Sequence, residues 1–211
     1  SSLSAATCCM EGLSSAADAE KKKLTNFHQN AQGENYSSHK LKTFAVPNGY
    51  PQEGEPLFNI SADGQYTGVY TDINAWNALV SFGYFDVQTG EEVEVTITTA
   101  KPFTTYQILP ESAQIRSKQE GQTIRFKLQE VNQQLSFVFD EDYQGSTLHL
   151  FVNKLETNIP QESNENLIYY GPGYHQLEEP LIIPTGKDLF IDGGAVVEGH
   201  VKLPDNIGSR V

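Results

Sequence analysis

The amino-acid sequence predicts an all-β protein in which an antiparallel β-sandwich precedes the opening of a right-handed parallel β-helix. Three observations lead to this fold class. Apolar and polar residues alternate along several segments after residue 41, turn-forming residues separate those segments, and a tighter series of short apolar segments follows residue 167. The chain has 211 residues with 17 Gly and 10 Pro, and such a composition suits many turns.

Residues 1–40 differ from the rest of the chain and are predicted to form a mobile N-terminal tail. Within this tail, the run 12–24 favours a helix because it is rich in helix formers and ends in cations, with Ser14 as a candidate cap. The polar stretch 26–40, rich in Gln, Asn, Ser and His, is interpreted as a linker.

Alternation with a period of two residues characterises the region 41–157. The clearest segments are 93–97, 124–128, 135–139 and 148–152. Successive side chains of a strand point to opposite faces, so each segment has one apolar face. Two packed antiparallel sheets would bury these faces, and we predict a sandwich of roughly seven to nine strands. A linker is expected at 158–166, before a β-helix start at 167–211.

Short apolar segments recur at closer spacing after residue 167, each followed by Gly or Pro. They lie at 167–170, 181–183, 189–191, 195–197 and 201–203. This spacing is too tight for hairpins of regular strands. It favours a coil whose short strands pair in parallel with the next turn, since a single turn cannot bury its own inner face.

Two glycine-containing motifs occur in this coil. The first is Tyr-Tyr-Gly-Pro-Gly-Tyr at 169–174, and the second is Leu-Phe-Ile-Asp-Gly-Gly-Ala-Val-Val-Glu-Gly at 189–199. Both resemble the opening of the β-helix in glycoside hydrolase family 49, which contains dextranase and isopullulanase, and in family 28 polygalacturonase-like proteins. The similarity covers about 37 residues, 167–203. In family 49 a β-sandwich precedes this segment, in the order predicted here.

The resemblance implies that the chain is the non-catalytic N-terminal portion of a secreted polysaccharide-degrading glycoside hydrolase, packing against or extending the catalytic β-helix. In those families, carboxylates on later turns act as general acid and base. The sequence ends at Val211 and has no positions that match them, so we predict no catalytic residue. Asp188 and Asp192 match no catalytic motif. The alternative is a stand-alone carbohydrate-binding or structural module without enzymatic activity.

The charge balance narrows the classes of partner. With 14 Lys and Arg against 27 Asp and Glu, the net charge is −13. Phosphate backbones and anionic lipid surfaces would be repelled, so nucleic-acid and membrane binding are not expected. A neutral glucan fits better than pectin, unless the fold contains a basic cleft. We expect a secreted or cell-surface protein with no cofactor and no metal.

The two cysteines, Cys8 and Cys9, are adjacent. Adjacent cysteines rarely bridge each other, and they supply neither a disulfide framework nor the spacing of a metal site. A lipid-modified Cys8 is an alternative, although Thr7 stands where such sites usually have Gly, Ala or Ser. No run of the roughly 18 apolar residues that cross a bilayer is present.

Aromatic residues crowd one region of the predicted sandwich: Tyr66, Tyr70, Trp76, Tyr84 and Phe85. Sugar rings stack on exposed aromatic faces, and Trp76 is the best single candidate for binding substrate. The alternative is that these residues form the sandwich core or its seam against the coil.

The remaining polar candidates have structural interpretations. The acidic run 140–142 is expected to be a solvated turn, with calcium binding as the alternative. The histidines are interpreted as loop or structural residues: His28, His39, His149, His175 and His200. We expect Gly193 and Gly194 to bend the coil where a Cβ would collide. An open coil end would expose an unpaired edge, so self-association, strand swapping or a partner is expected at 181–203.

Overall fold

The computed structural model describes residues 4–203, with side chains from Ser15 onward. Within these residues the chain forms one α-helix, one short 3-10 helix (Glu111–Ala113) and 18 strands. The strands build a two-sheet sandwich and a short parallel coil, so the all-β fold class is confirmed. None of the helices in this part of the chain is long and apolar enough to cross a bilayer. Predictions about Cys8 and Cys9 concern side chains outside the described ones.

Helix α1 spans Ser4–Gln32 and extends well beyond the predicted run 12–24. Its last turn packs on the sandwich, where Ala31 is fully buried and the amide of Val46 donates to the carbonyl of Gln32 at 2.8 Å. Strand β1 (Tyr36–Ser37) follows at once. The expected linker at 26–40 is therefore wrong. Its polar side chains remain largely exposed while its backbone is held by the sandwich, which composition does not reveal.

One sheet of the sandwich has seven strands. Its path runs from β1 through β2 (Leu41–Thr43), β6 (Leu79–Val87), β12 (Thr147–Lys154) and β11 (Gln133–Phe139) to β8 (Tyr106–Leu109), and β5 (Val69–Ile73) pairs with β6 outside this path. All neighbours are antiparallel except β6 and β12, which run parallel. Because β6 and β12 are parallel, both strands begin at the same end of the sheet.

The second sheet has five strands, all antiparallel. Its order is β4 (Gln65–Thr67), β3 (Phe58–Ala62), β7 (Val93–Thr99), β10 (Thr123–Leu128) and β9 (Ser117–Glu120). The sandwich thus has more strands than the seven to nine predicted. The difference comes from short strands such as β1 and β4, whose two or three residues cannot display an alternating pattern.

The sandwich core follows the predicted alternation. Along β7, Val93, Val95 and Ile97 are fully buried, whereas Glu94 is exposed. The same pattern holds in β10, where Ile124 and Phe126 are buried. Both sheets contribute to one continuous apolar cluster. This core gives the sandwich its own source of stability.

The coil consists of two stacked turns. The first contains β13 (Leu167–Tyr170), β14 (Gly173–Gln176) and β15 (Leu181–Ile182), and the second contains β16 (Asp188–Ile191), β17 (Ala195–Glu198) and β18 (Val201–Lys202). Each strand of the first turn pairs in parallel with its counterpart in the second, so the predicted parallel coil is confirmed. Strand β14 was not anticipated, because its sequence, Gly-Tyr-His-Gln, carries no apolar run.

Candidate functional site

The seam between sandwich and coil is built on a stacked pair of aromatic rings. Phe44 and Tyr84 lie 4.8 Å apart between ring centroids, with their planes 23° apart. The amide of Gly194, in the second turn, donates to the Tyr84 hydroxyl at 2.8 Å. A Cβ on the neighbouring Gly193 would collide with the Phe44 ring. The expectation that a Cβ would collide here is confirmed, and the collision partner belongs to the sandwich.

A second aromatic group extends the seam to the first turn of the coil. The ring of Tyr50 meets Tyr174 edge to face, with 5.9 Å between centroids, and meets Tyr70 in the same way at 5.0 Å. Burial raises the pKa of the Tyr50 and Tyr70 hydroxyls above the ordinary tyrosine value. The Tyr174 hydroxyl donates to Glu198 on the next turn. The seam is therefore apolar at its centre and hydrogen-bonded at its margin.

A cleft of about 350 Å³ lies between the sandwich and the coil. Asp86, at the end of β6, is 8% exposed and lines this cleft. Burial raises the pKa of Asp86 to about 6. A hydrogen bond from the Asn153 amide at 3.3 Å and the charge of Lys42 lower that pKa only in part. The cleft thus contains an acid that titrates near neutral pH.

Asp192 faces the same cleft from the coil, but both of its oxygens are engaged. The Tyr169 hydroxyl donates to one oxygen at 2.6 Å, and the amide of Gly193 donates to the other at 2.7 Å. The amide of Asp188 donates to the Asn166 carbonyl, and the Asp188 side chain is exposed. Asp192 therefore shapes the turn between β16 and β17. Among residues 15–203, no cluster of three or more His, Cys, Asp or Glu side chains could hold a metal ion.

The aromatic residues that crowd the sequence near Trp76 separate in the structure. Phe85 is in the sandwich core, Tyr70 and Tyr84 are in the seam, and Tyr66 is half-buried. The core-and-seam interpretation therefore applies to Phe85, Tyr70 and Tyr84, three of the five. Trp76 alone projects from a loop between β5 and β6 and is 62% exposed.

The acidic run 140–142 is a turn, as expected. One oxygen of Asp140 accepts hydrogen bonds from the amides of Thr104 and Thr105 at 2.8 and 2.9 Å, which lowers the pKa of Asp140. Asp142 accepts from the amide of Gly145 at 2.8 Å. These carboxylates are used to cap turns, and they do not converge on a common point.

Two of the five histidines, His149 and His175, hold structural contacts, and His28 lies 3.2 Å from a carboxylate oxygen of the exposed Glu55. His149 stacks on Phe82 at 5.4 Å between centroids and hydrogen bonds with Ser136, and burial lowers its pKa. His175 donates to the Gly171 carbonyl at 2.7 Å and holds the first glycine turn. Within the described part of the chain, neither of these two rings has a hydrogen bond to a carboxylate, and the Ser136 hydroxyl beside His149 is part buried within the sheet, where it holds the ring in place.

Sequence reasoning missed Asp86 and Phe44, the two residues that give the seam its charge and its stacking surface. Both lie on strands or strand ends where an outward side chain would ordinarily meet solvent. Their burial depends on the coil, which lies far along the chain. In the sequence, only the pair Gly193 and Gly194 indicates that another segment packs closely against the coil, and the pair does not identify that segment.

Comparisons with known proteins give similarity of fold without similarity of sequence. No family model matches the sequence, and no curated protein sequence matches it. Among solved structures, the chain is similar to Dex49A from Penicillium minioluteum, with a TM-score of 0.48 and 14% sequence identity. That match covers 80% of this chain and 43% of the other, so the chain spans less than half the length of that structure.

Proposed function

We propose that this chain is the non-catalytic N-terminal portion of a secreted polysaccharide-degrading glycoside hydrolase. In this proposal the sandwich holds the opening turns of a β-helix whose later turns carry the catalytic carboxylates. The observation that carries the proposal is the seam, where Gly193 and Gly194 meet Phe44 and Tyr84. A sandwich built to receive one turn of a parallel coil fits the opening of a longer coil better than a free-standing module.

The two coil motifs support the same conclusion. Within them, Gly173 has a φ of 141° and Gly194 a φ of 83°, backbone conformations that glycine adopts most readily. Gly194 also supplies the amide that bonds to the sandwich. The residues that resemble families 28 and 49 therefore shape the coil and join it to the sandwich, the role expected of a non-catalytic portion.

The charge distribution supports a neutral glucan as the polysaccharide. A surface groove of about 710 Å³ lies beside β9 and β10 and is lined by four cations. Four glutamates line the same groove, and two of them pair with cations, Glu120 with Arg125 at 2.9 Å and Glu92 with Lys127 at 2.6 Å. The groove is therefore balanced in charge, and the basic cleft that pectin would require is not formed there.

The test compares two polypeptides in the same glycan-cleavage assay. One is the product of the complete reading frame, and the other consists of residues 1–211 alone. We expect the complete polypeptide to release reducing ends from a neutral glucan such as dextran or pullulan, and residues 1–211 to release none. Cleavage of polygalacturonate alone would overturn the choice of glucan. A reading frame that stops after Val211 would overturn the hydrolase proposal.

The second candidate is a stand-alone carbohydrate-binding or structural module. The observation that favours it is the exposure of Trp76, which has no role in the core or the seam. A module of this kind would bind polysaccharide at full affinity without any further turns of the coil. The reading frame after Val211 distinguishes the two candidates, because only the hydrolase requires further turns with clustered Asp residues.

A further inference from the structure

We infer that the loops carrying Trp76 and Tyr143 together form a stacking platform for the pyranose rings of a neutral polysaccharide. This inference is independent of the hydrolase proposal, because it requires neither a catalytic domain nor the seam, and it gives the carbohydrate-binding candidate a defined site and ligand class. It assigns sugar binding to one end of the seven-stranded sheet.

The topology of that sheet brings the two loops together. Strands β6 and β12 are parallel neighbours, and Val80 pairs with Thr147. Trp76 lies four residues before Val80, and Tyr143 lies four residues before Thr147. Because the two strands are parallel, both aromatic residues lie beyond the same end of the sheet. The Asn74 side-chain amide links the loops by donating to the Gln144 carbonyl at 3.3 Å.

The loop that carries Trp76 is held in one conformation by its own hydrogen bonds. The side-chain oxygen of Asn74 accepts hydrogen bonds from the backbone amides of Trp76 and Ala78, both at 3.0 Å. The amide of Asn74 donates in turn to the Ala78 carbonyl at 2.9 Å. A loop ordered in this way presents the indole without a large entropic cost on binding.

The loop that carries Tyr143 is ordered by similar means. Asp142 accepts from the amides of Gln144 and Gly145, and a Cβ on Gly145 would collide with the Asp142 carboxylate. The Tyr143 hydroxyl donates to the side chain of Gln107 on β8, which holds the ring in place. The fold therefore fixes the Tyr143 ring and the backbone that carries Trp76, and both aromatic side chains remain exposed to solvent.

These two rings are the most exposed aromatic side chains among the described residues. Trp76 is 62% exposed and Tyr143 is 57% exposed, followed by Tyr36 at 37%.

The chemistry of the platform favours a neutral sugar. The apolar C–H face of a pyranose stacks on an aromatic face, while its hydroxyl groups seek polar partners such as the amides of Asn74 and Gln144. The carboxylate of Asp72, at the end of β5 before the Trp76 loop, and that of Glu141, in the Tyr143 loop, are exposed. They would repel uronates, phosphates and anionic lipids.

The size of the platform argues against a protein partner. Two aromatic side chains bury at most about 500 Å² together. A stable protein interface needs roughly 800 Å² from each partner. A chain of a few sugar units matches the two rings, and a second copy of this protein does not.

The single tryptophan makes the test direct. Trp76 is the only Trp in the sequence, so its fluorescence reports on this platform alone. We expect isomalto- or malto-oligosaccharides to change its emission in a saturable titration, and trigalacturonate to leave it unchanged. Calorimetry on Trp76→Ala should show affinity at least about tenfold weaker, the loss of one stacked face, and Tyr143→Ala a smaller loss.

Tyr36→Ala is the matched control, because it removes another exposed aromatic ring, from edge strand β1, where Tyr36 is in register with Thr43 and through it with Phe85 near the far end of β6. We expect it to bind as the unaltered chain does, and all three variants to keep the same thermal midpoint. Unchanged emission with every neutral oligosaccharide would overturn the inference, as would equal calorimetric affinities for Trp76→Ala and the unaltered chain. Neither result bears on the hydrolase proposal, which depends on residues beyond 211.

Discussion

The sandwich and the coil bury their apolar side chains to very different degrees. In the sandwich, Phe85 and Ile97 are fully buried between two sheets. In the coil, Ile182 is 59% exposed, and Val201 and Leu203 are exposed as well. Both regions are held by backbone hydrogen bonds between paired strands, antiparallel for most of the sandwich and parallel in the coil. They differ because two packed sheets make a closed core, whereas two turns of a coil do not.

The difference explains why the seam is so specific. The coil obtains part of its burial from the sandwich, through Phe44, Tyr84 and the aromatic group around Tyr50. The sandwich gains little from the coil, since its core is complete without it. We therefore predict that the sandwich folds without the coil and that the coil requires the sandwich. The division at residue 157 into separately folding units stays a prediction.

The largest expected effect comes from truncating one apolar residue in each region, buried in the sandwich and exposed in the coil. Phe85→Ala should lower the free energy of unfolding by about 3–5 kcal/mol, because it leaves a cavity between the sheets. Ile182→Ala should change it by less than about 0.5 kcal/mol, because that side chain is already exposed. Urea unfolding followed by circular dichroism measures both. Similar losses in the two variants would show that the coil shares the core of the sandwich.

The second effect depends on pH and on Asp86. Its folded pKa of about 6 lies above the ordinary 3.8, so the folded chain binds the proton more tightly than the unfolded chain. The stability that this provides is present below pH 4 and is lost as the pH rises through 6, a loss of about 3 kcal/mol at most.

Asp86→Asn removes this titration and preserves the side-chain volume. We expect it to be more stable than the unaltered chain at neutral pH and equally stable at pH 3, measured by urea unfolding at each pH. Asp63→Asn is a control for which the pH dependence of stability should have the opposite sign, because the ion pair with Lys40 lowers the pKa of Asp63. Parallel pH profiles for Asp86→Asn and the unaltered chain would contradict the prediction.

A smaller and more local effect is expected from Gly193→Ala. Its new methyl group meets the Phe44 ring, which should cost about 1–3 kcal/mol at the seam. Hydrogen exchange should then lose protection at 167–203 and retain it in β7 and β10. Phe44→Leu removes the atoms that collide, so it should restore part of the protection when combined with Gly193→Ala. Uniform loss of protection across the chain would mean that the regions are not separable.

The smallest expected effect is self-association through the second turn of the coil. Strand β18 pairs with β15 on one side, and no further strand covers it within residues 4–203. We predict weak, concentration-dependent association in light scattering, reduced by Val201→Lys at this edge. Lys154→Glu, at the end of β12 on the sandwich, is a charge-altering comparison expected to leave association unchanged. A monomer at all concentrations would show that the end of the coil is closed by other means.

Much of this fold can be predicted locally. Alternation at 93–97 predicts a half-buried strand, because the period of two follows from the strand backbone alone. The coil is predicted from short apolar segments punctuated by glycine, and its parallel pairing is confirmed. The end of α1 and strand β1 are not predictable in this way, because a short polar segment acquires its structure from the surface that receives it.

The candidate sites depend on contacts that no local pattern encodes. The sequence suffices for the fold class, the alternating core and the glycines of the coil, because backbone geometry and solvent exclusion act over a few residues at a time. Long-range packing sets the rest. It buries Asp86 under a coil more than a hundred residues away, and it places Trp76 beside a loop from another part of the chain. Burial and proximity are properties of the packed chain, so the charge of the seam and the pairing of the aromatic loops emerge only there.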